Sequence, residues 1–231
     1  MNILALDTSM GACSAAVLLA EGATQRIVLC EESMARGHAE ALMPMVAEVM
    51  TEAGLDFAAL DLIAATLGPG SFTGVRIAIA AARGFALATG AHPWGTDSLT
   101  VMAKAALERG IAADGKPFAV AVDARGERLY FGLYDADGRK LAGPLLIDAG
   151  EAADLLPGEL AAAVGNSAAH LAEAAMVRGH RLEAKLADLQ PNAAALAELA
   201  LEAEETLPTL RPLYLRPPDA KPQAAAAVAR R

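Results

Sequence analysis

The fold is decided by a short stretch that occurs twice, as Ile3-Leu4-Ala5-Leu6-Asp7 and again as Ala119-Val120-Ala121-Val122-Asp123. Each copy is an apolar run that ends in aspartate, which is typical of a buried strand that places a carboxylate at the end of the strand. In both copies a turn, a second strand and a turn glycine follow, and Gly22 aligns with Gly138 without gaps. A third strand comes next in each, so the sequence predicts the same antiparallel meander twice.

Helices and strands alternate after each meander. The first copy continues with a helix over residues 38–53, a buried strand over 61–67 and a helix over 75–89 that ends at Gly90. The second copy is shorter, and Gly165-Asn166-Ser167 replaces the first copy's glycine-rich turn. A duplicated βββαβα unit is an α/β architecture that resembles the actin, Hsp70 and sugar-kinase superfamily, whose two RNase H-like domains face each other across a nucleotide cleft.

The repeat divides the chain into two domains and a tail. We expect an actin-like domain over residues 1–110, a second with shortened helices over 111–216, and a disordered tail over 217–231, which is rich in Pro, Ala and Arg. The net charge of −9 argues against a broad basic surface, so we expect any RNA to be bound only through a partner. Charged residues or glycine interrupt the long apolar runs, and no basic region precedes an apolar N-terminus. We therefore expect a cytoplasmic protein without a membrane segment.

The turn Gly68-Pro69-Gly70-Ser71-Phe72-Thr73-Gly74-Val75-Arg76 connects the buried strand to the second helix. Its glycines permit conformations closed to other residues, and Ser71 or Thr73 can cap the helix. A helix start with free N–H groups suits a phosphate, although Val75-Arg76 after Gly74 excludes a Walker A loop. An ordinary strand–turn–helix connection explains the glycines equally well. The candidate phosphate contacts are Asp7, Ser9, Gly68, Gly70, Ser71, Thr73 and Gly74.

No residue pattern in the chain predicts a complete active site. Asp7 and Asp123 could hold Mg²⁺ for phosphoryl transfer, or each could only brace its own strand turn. The four histidines have no spacing that puts two on one helix face, so we expect no metal site. Cys13 and Cys30 are expected to be reduced thiols within strands, and no serine lies in a nucleophile elbow. We therefore predict no catalytic residue.

Two helices of the first domain predict a docking surface. The helix over 75–89 is almost free of bulky side chains, so it either packs inside its own domain or is offered to a partner. The helix over 38–53 carries several methionines, which suit a core or a deformable interface equally. On the interface interpretation, Val49→Glu or Ala82→Glu should abolish partner binding without unfolding the chain. The expected interface residues are Leu42, Met45, Val46, Val49, Met50, Val75, Arg76, Ala78, Ile79, Ala82 and Arg83.

Five motifs resemble those of the TsaB (YeaZ) family. They are Ile3-Leu4-Ala5-Leu6-Asp7-Thr8-Ser9, His38-x-Glu40-x-Leu42-Met43-Pro44, the glycine-rich turn, Asp123-Ala124-Arg125 with Tyr130, and Tyr214-Leu215-Arg216. The resemblance implies an actin-like fold and a part in making N6-threonylcarbamoyladenosine in tRNA. The paralogous transferase TsaD has a metal-binding H-x-x-x-H, whereas this chain has leucine at the second histidine position. The resemblance therefore implies the non-catalytic member.

The resemblance also implies partners. A TsaB-like protein would bind and activate TsaD through the two helices of its first domain, with the ATPase TsaE as a further partner and a homodimer when alone. It would have no cofactor of its own, although ATP or ADP could bind at or near the contact with TsaD. Two alternatives remain open from the residues alone: an independent ATPase or small-molecule kinase of the same superfamily, and a metallopeptidase-like protein.

Overall fold

The computed structural model describes residues 1–203 and 210–216, and the predicted tail at 217–231 lies outside the described residues. Within them, ten strands form two five-stranded sheets. The first sheet contains β1 (Asn2–Asp7), β2 (Ala12–Glu21), β3 (Thr24–Ser33), β4 (Leu62–Thr66) and β5 (His92–Thr96). The second contains β6 (Phe118–Asp123), β7 (Arg128–Tyr134), β8 (Lys140–Asp148), β9 (Ala163–Val164) and β10 (Ala184–Lys185). The helices are α1 (His38–Ala53), α2 (Phe72–Thr89), α3 (Ser98–Glu108), α4 (Ala149–Asp154), α5 (Ala168–Val177) and α6 (Ala193–Glu202).

The two sheets have the same topology, which confirms the predicted duplication. The first has the order β3-β2-β1-β4-β5, and the second has the matching order β8-β7-β6-β9-β10. In each, three strands form an antiparallel meander and two further strands join in parallel on the other side of the first strand. Asp7 and Asp123 therefore lie at equivalent strand ends, as the repeat predicts.

Both faces of the first sheet are covered by helices. Leu4 and Leu6 of β1 pack in the cluster that contains the inner faces of α1 and α2. Ile3 and Ala5 point to the opposite side and pack in the cluster that contains α3 and α6. Successive side chains of a strand point to opposite faces, so a strand covered on both sides is apolar throughout. This accounts for the continuous apolar run that opens the chain.

Two helices cross between the halves of the molecule. A boundary at residue 110 separates the sheets, but α6, from the second half, packs on β1 and β2 of the first sheet. The Ala193 N–H at the start of α6 donates to Ser14 Oγ at 3.0 Å. Helix α3, from the first half, contacts β6 and β7 of the second sheet. Lys104 on α3 forms ion pairs with Glu198 and Glu202 on α6, so the two halves share one core.

Helix α1 has its predicted bounds, whereas α2 begins earlier than predicted. Pro44 lies inside α1, which begins at His38 and continues to Ala53. Helix α2 begins at Phe72, three residues before the predicted start, because Ser71 is its N-cap and accepts from the Gly74 N–H. By length and composition alone α2 could cross a membrane. Here its inner face packs on the first sheet.

Candidate functional site

The glycine-rich turn packs directly against the turn between β1 and β2. A Cβ atom on Gly74 would lie 2.0 Å from the Thr8 carbonyl oxygen, and one on Gly70 would lie 2.2 Å from that of Ser9. Thr8 Oγ1 donates to the Gly74 carbonyl at 2.6 Å, and the Ser71 N–H donates to the Ser9 carbonyl at 2.7 Å. The glycines at these two positions are therefore required by the close approach of two backbone segments.

Asp7 is enclosed by its own domain. Its side chain is 0% exposed and accepts hydrogen bonds from Thr66 Oγ1, from Ser9 Oγ at 2.8 Å and from the Ser9 N–H at 3.2 Å. Burial raises its pKa from 3.8 to about 6, although these donors oppose the shift. A carboxylate that holds the Mg²⁺ of a nucleotide must reach the ligand. Asp7 does not, so the Mg²⁺-nucleotide that the fold family implies does not fit this turn.

A cleft of about 670 Å³ lies between the two halves of the molecule. One wall is the start of α2, and the opposite wall is the turn after β6 together with Asn166. Of the predicted phosphate contacts, Gly70, Ser71 and Thr73 line this cleft, whereas Asp7, Ser9, Gly68 and Gly74 do not. Other lining residues were not predicted from the sequence to lie together at one site. They include Arg125, Tyr130, Asn166, Gln190, Tyr214 and Arg216.

The turn after β6 places an arginine at the cleft. Asp123 is exposed there, and its Oδ1 accepts from the Arg125 N–H at 2.8 Å, while its own N–H donates to Asn166 Oδ1 at 2.8 Å. Arg125 has a positive φ of 65°, a backbone conformation that is uncommon for a residue with a side chain. The carboxylate of Asp123 thus braces its own turn, as the structural interpretation of the sequence expected.

The C-terminal segment, residues 210–216, binds the two arginines of α2 that we expected at an interface. Arg83 donates to the Leu210 carbonyl. Arg76 Nε donates to the Tyr214 hydroxyl at 2.6 Å, and its guanidinium lies 3.7 Å above the ring of Phe72, which stacks on Tyr214. Both arginine side chains therefore contact residues of their own chain. Sequence reasoning marked Tyr214-Leu215-Arg216 as a motif without assigning it this position.

The other nine expected interface residues face inward. Leu42, Met45, Val46, Val49 and Met50 of α1, and Val75, Ala78, Ile79 and Ala82 of α2, are all buried against the first sheet. The apolar periodicity marked the face that covers the protein's own core, so a partner docked on these helices would contact their opposite faces. Val49→Glu or Ala82→Glu would bury a charge and destabilise the fold, contrary to the expectation that the chain stays folded.

Outside their buried stripes, α1 and α2 carry exposed apolar and small residues, interspersed with charged ones such as Glu48. Met43 is 51% exposed and Leu87 is 87% exposed. Ala47, Ala80 and Gly84 are also exposed on these helices. We call these five residues the outer helical face. Its signal in the sequence is the set of small residues at helical spacing on the side away from the buried stripe.

A cluster for a metal ion is absent from residues 1–203 and 210–216, where no three His, Cys, Asp or Glu side chains meet in a suitable arrangement. His38 instead lies with its Nε2 atom 3.1 Å from the Met10 carbonyl oxygen. Cys13 is buried and Cys30 is partly buried, and both are free thiols. Burial is the main cause that raises the pKa of both thiols, so neither is activated as a nucleophile.

Comparison with known proteins identifies the family. A family model described as TsaD, tRNA N6-adenosine threonylcarbamoyltransferase, matches residues 30–175. The tRNA threonylcarbamoyladenosine biosynthesis protein TsaB of Haemophilus influenzae is 38% identical over 131 residues, which cover 57% of this chain and 52% of that protein. The TsaB of Escherichia coli is 35% identical over 137 residues, which cover 59% of this chain and 56% of that protein. The chain thus spans about half the length of these curated relatives.

Solved structures of proteins from Pseudomonas aeruginosa match over nearly the whole chain. YeaZ from Pseudomonas aeruginosa superposes with a TM-score of 0.77 at 32% sequence identity. The match covers 93% of this chain and 99% of that one. From these similarities in sequence and structure, the chain belongs to the TsaB (YeaZ) family.

Proposed function

We propose that this chain is a non-catalytic accessory subunit in the synthesis of threonylcarbamoyladenosine in tRNA, where it binds the transferase TsaD and raises its activity. Its matched relatives are named as biosynthesis proteins of this modification. The family model that matches residues 30–175 is described by the transferase itself, which supports a shared ancestry with that partner. With a net charge of −9, the chain would approach tRNA through the complex, in the cytoplasm.

The outer helical face is the observation that carries this proposal. Leu87 is 87% exposed and lies in the last turn of α2. Exposed apolar patches mark interaction sites in soluble proteins. Ala47, Ala80 and Gly84 lack bulk, so the backbone of a partner helix can approach α1 and α2 closely. The face is therefore suited to helix-on-helix docking.

The mechanism is a shift between states of the transferase. A partner changes activity only if it binds the active state more tightly than the inactive one. In this proposal TsaD supplies the reacting groups, TsaE is a further partner, and the outer helical face stabilises the active arrangement of TsaD. A second copy of this chain would use the same face when TsaD is absent, so homodimer and heterodimer compete.

The two alternative functions, an ATPase or kinase and a metallopeptidase, each require site residues that an accessory subunit does not. An ATPase or kinase of this fold would use the strand-end carboxylate of the first half, and Asp7 is 0% exposed with three donors around it. A metallopeptidase would need metal ligands, and metal analysis of the purified protein tests that alternative directly. Neither alternative is favoured by a feature of the described residues.

A matched pair of exposed positions tests the docking face. Leu87 on α2 is 87% exposed and Val177 on α5 is 82% exposed, so glutamate at either site leaves the core intact. We expect Leu87→Glu to weaken binding to TsaD at least about tenfold, as for a residue near the centre of an interface. Val177→Glu should bind as the wild type does. Wild-type affinity in Leu87→Glu, with an unchanged circular dichroism spectrum, would remove the proposed face.

A further inference from the structure

Within the described residues, three carboxyl groups meet where α3 and α6 join the two halves of the molecule. Glu108 is the last residue of α3, and its side chain forms a hydrogen bond with that of Glu198 on α6. Lys104 Nζ lies 3.1 Å from a carboxylate oxygen of Glu198 and 2.9 Å from one of Glu202, the last residue of α6. Lys104 alone therefore cannot neutralise this group. We call Glu108 and Glu198 the carboxyl pair.

The carboxyl pair forms its hydrogen bond only while it holds a proton. An ionised carboxylate accepts hydrogen bonds and has none to donate, so one member of the pair must be protonated. Two carboxyl groups in contact repel each other when both are ionised. Glu108 also ends its helix, where the partial negative charge of a helix C-terminus disfavours a further negative charge. The contact between α3 and α6 at this point therefore depends on one proton.

The proton is held by groups from several elements. Partial burial is the main cause that raises the pKa of Glu108 from 4.5 to about 7, and the hydrogen bond and charge of Glu198 raise it further, while Lys104 and Arg109 oppose the shift. Glu108 keeps contact with solvent, so the proton follows the pH of the solution. The other charged residues on elements packed beside this joint are Glu202 on α6, Glu31 on β3, and Asp135, Asp137 and Arg139 at the turn between β7 and β8.

We propose that the carboxyl pair is a pH-sensitive switch, which holds α6 on α3 while it is protonated and loosens this contact when the proton is lost. Loss of the proton leaves three carboxylates around Lys104. Helix α6 packs on β1 and β2, so its loosening weakens the joint between the two halves. This switch goes beyond the proposed function and does not depend on docking to TsaD.

The sign of the effect follows from the folded and unfolded pKa values. The pKa of Glu108 is higher in the folded chain than its ordinary 4.5, so the stabilisation is fully present below about pH 4.5 and is lost as the pH rises to about 7. Solvent screens a group that is partly exposed, so we expect about a tenfold change in the opening of α6, which is less than a dry site would give.

Native-state hydrogen exchange of the α6 amides in the full chain tests the switch, at about pH 5 and about pH 8. Glu108→Gln keeps a donor to Glu198 and removes the titrating proton. The opening of α6 in the wild type, divided by that in Glu108→Gln at the same pH, should rise about tenfold between the two conditions. Asp7 and the other titrating groups occur in both proteins, so their effects cancel in this ratio. A ratio that does not change with pH would overturn the proposal, even if the variant differs in stability.

A second glutamate provides the matched control. Glu173→Gln removes an exposed carboxyl from α5, outside this joint. Divided by the opening in Glu108→Gln, the opening of α6 in this variant should show the same rise with pH as the wild type. Loss of the rise in Glu173→Gln would show that the carboxyl pair is not its source.

Discussion

At the level of single residues, the buried carboxyl of Asp7 should make the stability of the fold depend on pH. Its pKa is raised from 3.8 to about 6, so between these values the folded chain binds a proton more tightly than the unfolded chain does. The stabilisation is fully present below about pH 4 and is lost as the pH rises to about 6, because the buried group must then carry charge. The loss is on the order of 3 kcal/mol.

Comparison with Asp7→Asn isolates this effect from all other titrating groups. We expect the free energy of unfolding of the wild type, minus that of the variant, to fall between about pH 4 and about pH 6 and then to stay level. Urea denaturation at a series of pH values measures it. A difference that rises with pH would show that the carboxyl is stabilised in its charged form, contrary to the buried geometry.

Two glycines of α2 give opposite predictions for the same substitution. Gly74→Ala would place a Cβ atom 2.0 Å from the Thr8 carbonyl oxygen, which is backbone and cannot move aside. We expect it to destabilise the fold by about 3 kcal/mol or more. A Cβ atom on Gly84 would meet no neighbour within 4 Å, and alanine there favours the helix by roughly 0.5–1 kcal/mol. Thermal or urea unfolding of both variants measures the contrast, and similar stabilities would contradict the close packing of the two turns.

At the level of helices and strands, helical periodicity predicted the bounds of α1 but not the role of its face. The stripe of Leu42, Val46 and Val49 has the spacing of a helix that buries one side. Periodicity reports that a face is buried, and it does not report whether the protein's own sheet or a partner covers it. In this structure the stripe packs on the protein's own sheet, chiefly against β2 and β3.

The C-terminal segment is held by side-chain contacts that a single variant removes. Tyr214 accepts from Arg76 and stacks on Phe72, while the neighbouring Leu213 N–H donates to the Leu67 carbonyl at 2.7 Å. We expect Tyr214→Ala to speed hydrogen exchange of the Leu213 amide and to leave the amides of β1 protected, because local opening involves only the weakly held element. In Tyr214→Phe, which keeps the ring, the exchange rate of the Leu213 amide should lie between the rates in the wild type and in Tyr214→Ala. Unchanged exchange at Leu213 would show that other contacts hold the segment.

For the molecule as a whole, the repeat was sufficient to predict the two sheets and their topology. Each half carries the same order of strands and turns, and sheet topology follows from that order with few alternatives. The exchange of α3 and α6 between the sheets was not predictable in this way. Both helices are apolar enough to cover either sheet, and which one they cover depends on how the two sheets pack together. The lining of the cleft was likewise only partly predictable, because it comes from at least six separate segments.

The proposed role of the chain is to activate a partner transferase. It can be tested by the incorporation of labelled threonine into unmodified tRNA by TsaD and TsaE, with ATP, bicarbonate and the synthase that forms the threonylcarbamoyl adenylate. Reactions contain no added chain, the wild type, Leu87→Glu or Val177→Glu. We predict that incorporation requires the wild type or Val177→Glu and falls to the background level with Leu87→Glu. Equal incorporation in the presence and absence of the chain would contradict the proposed role.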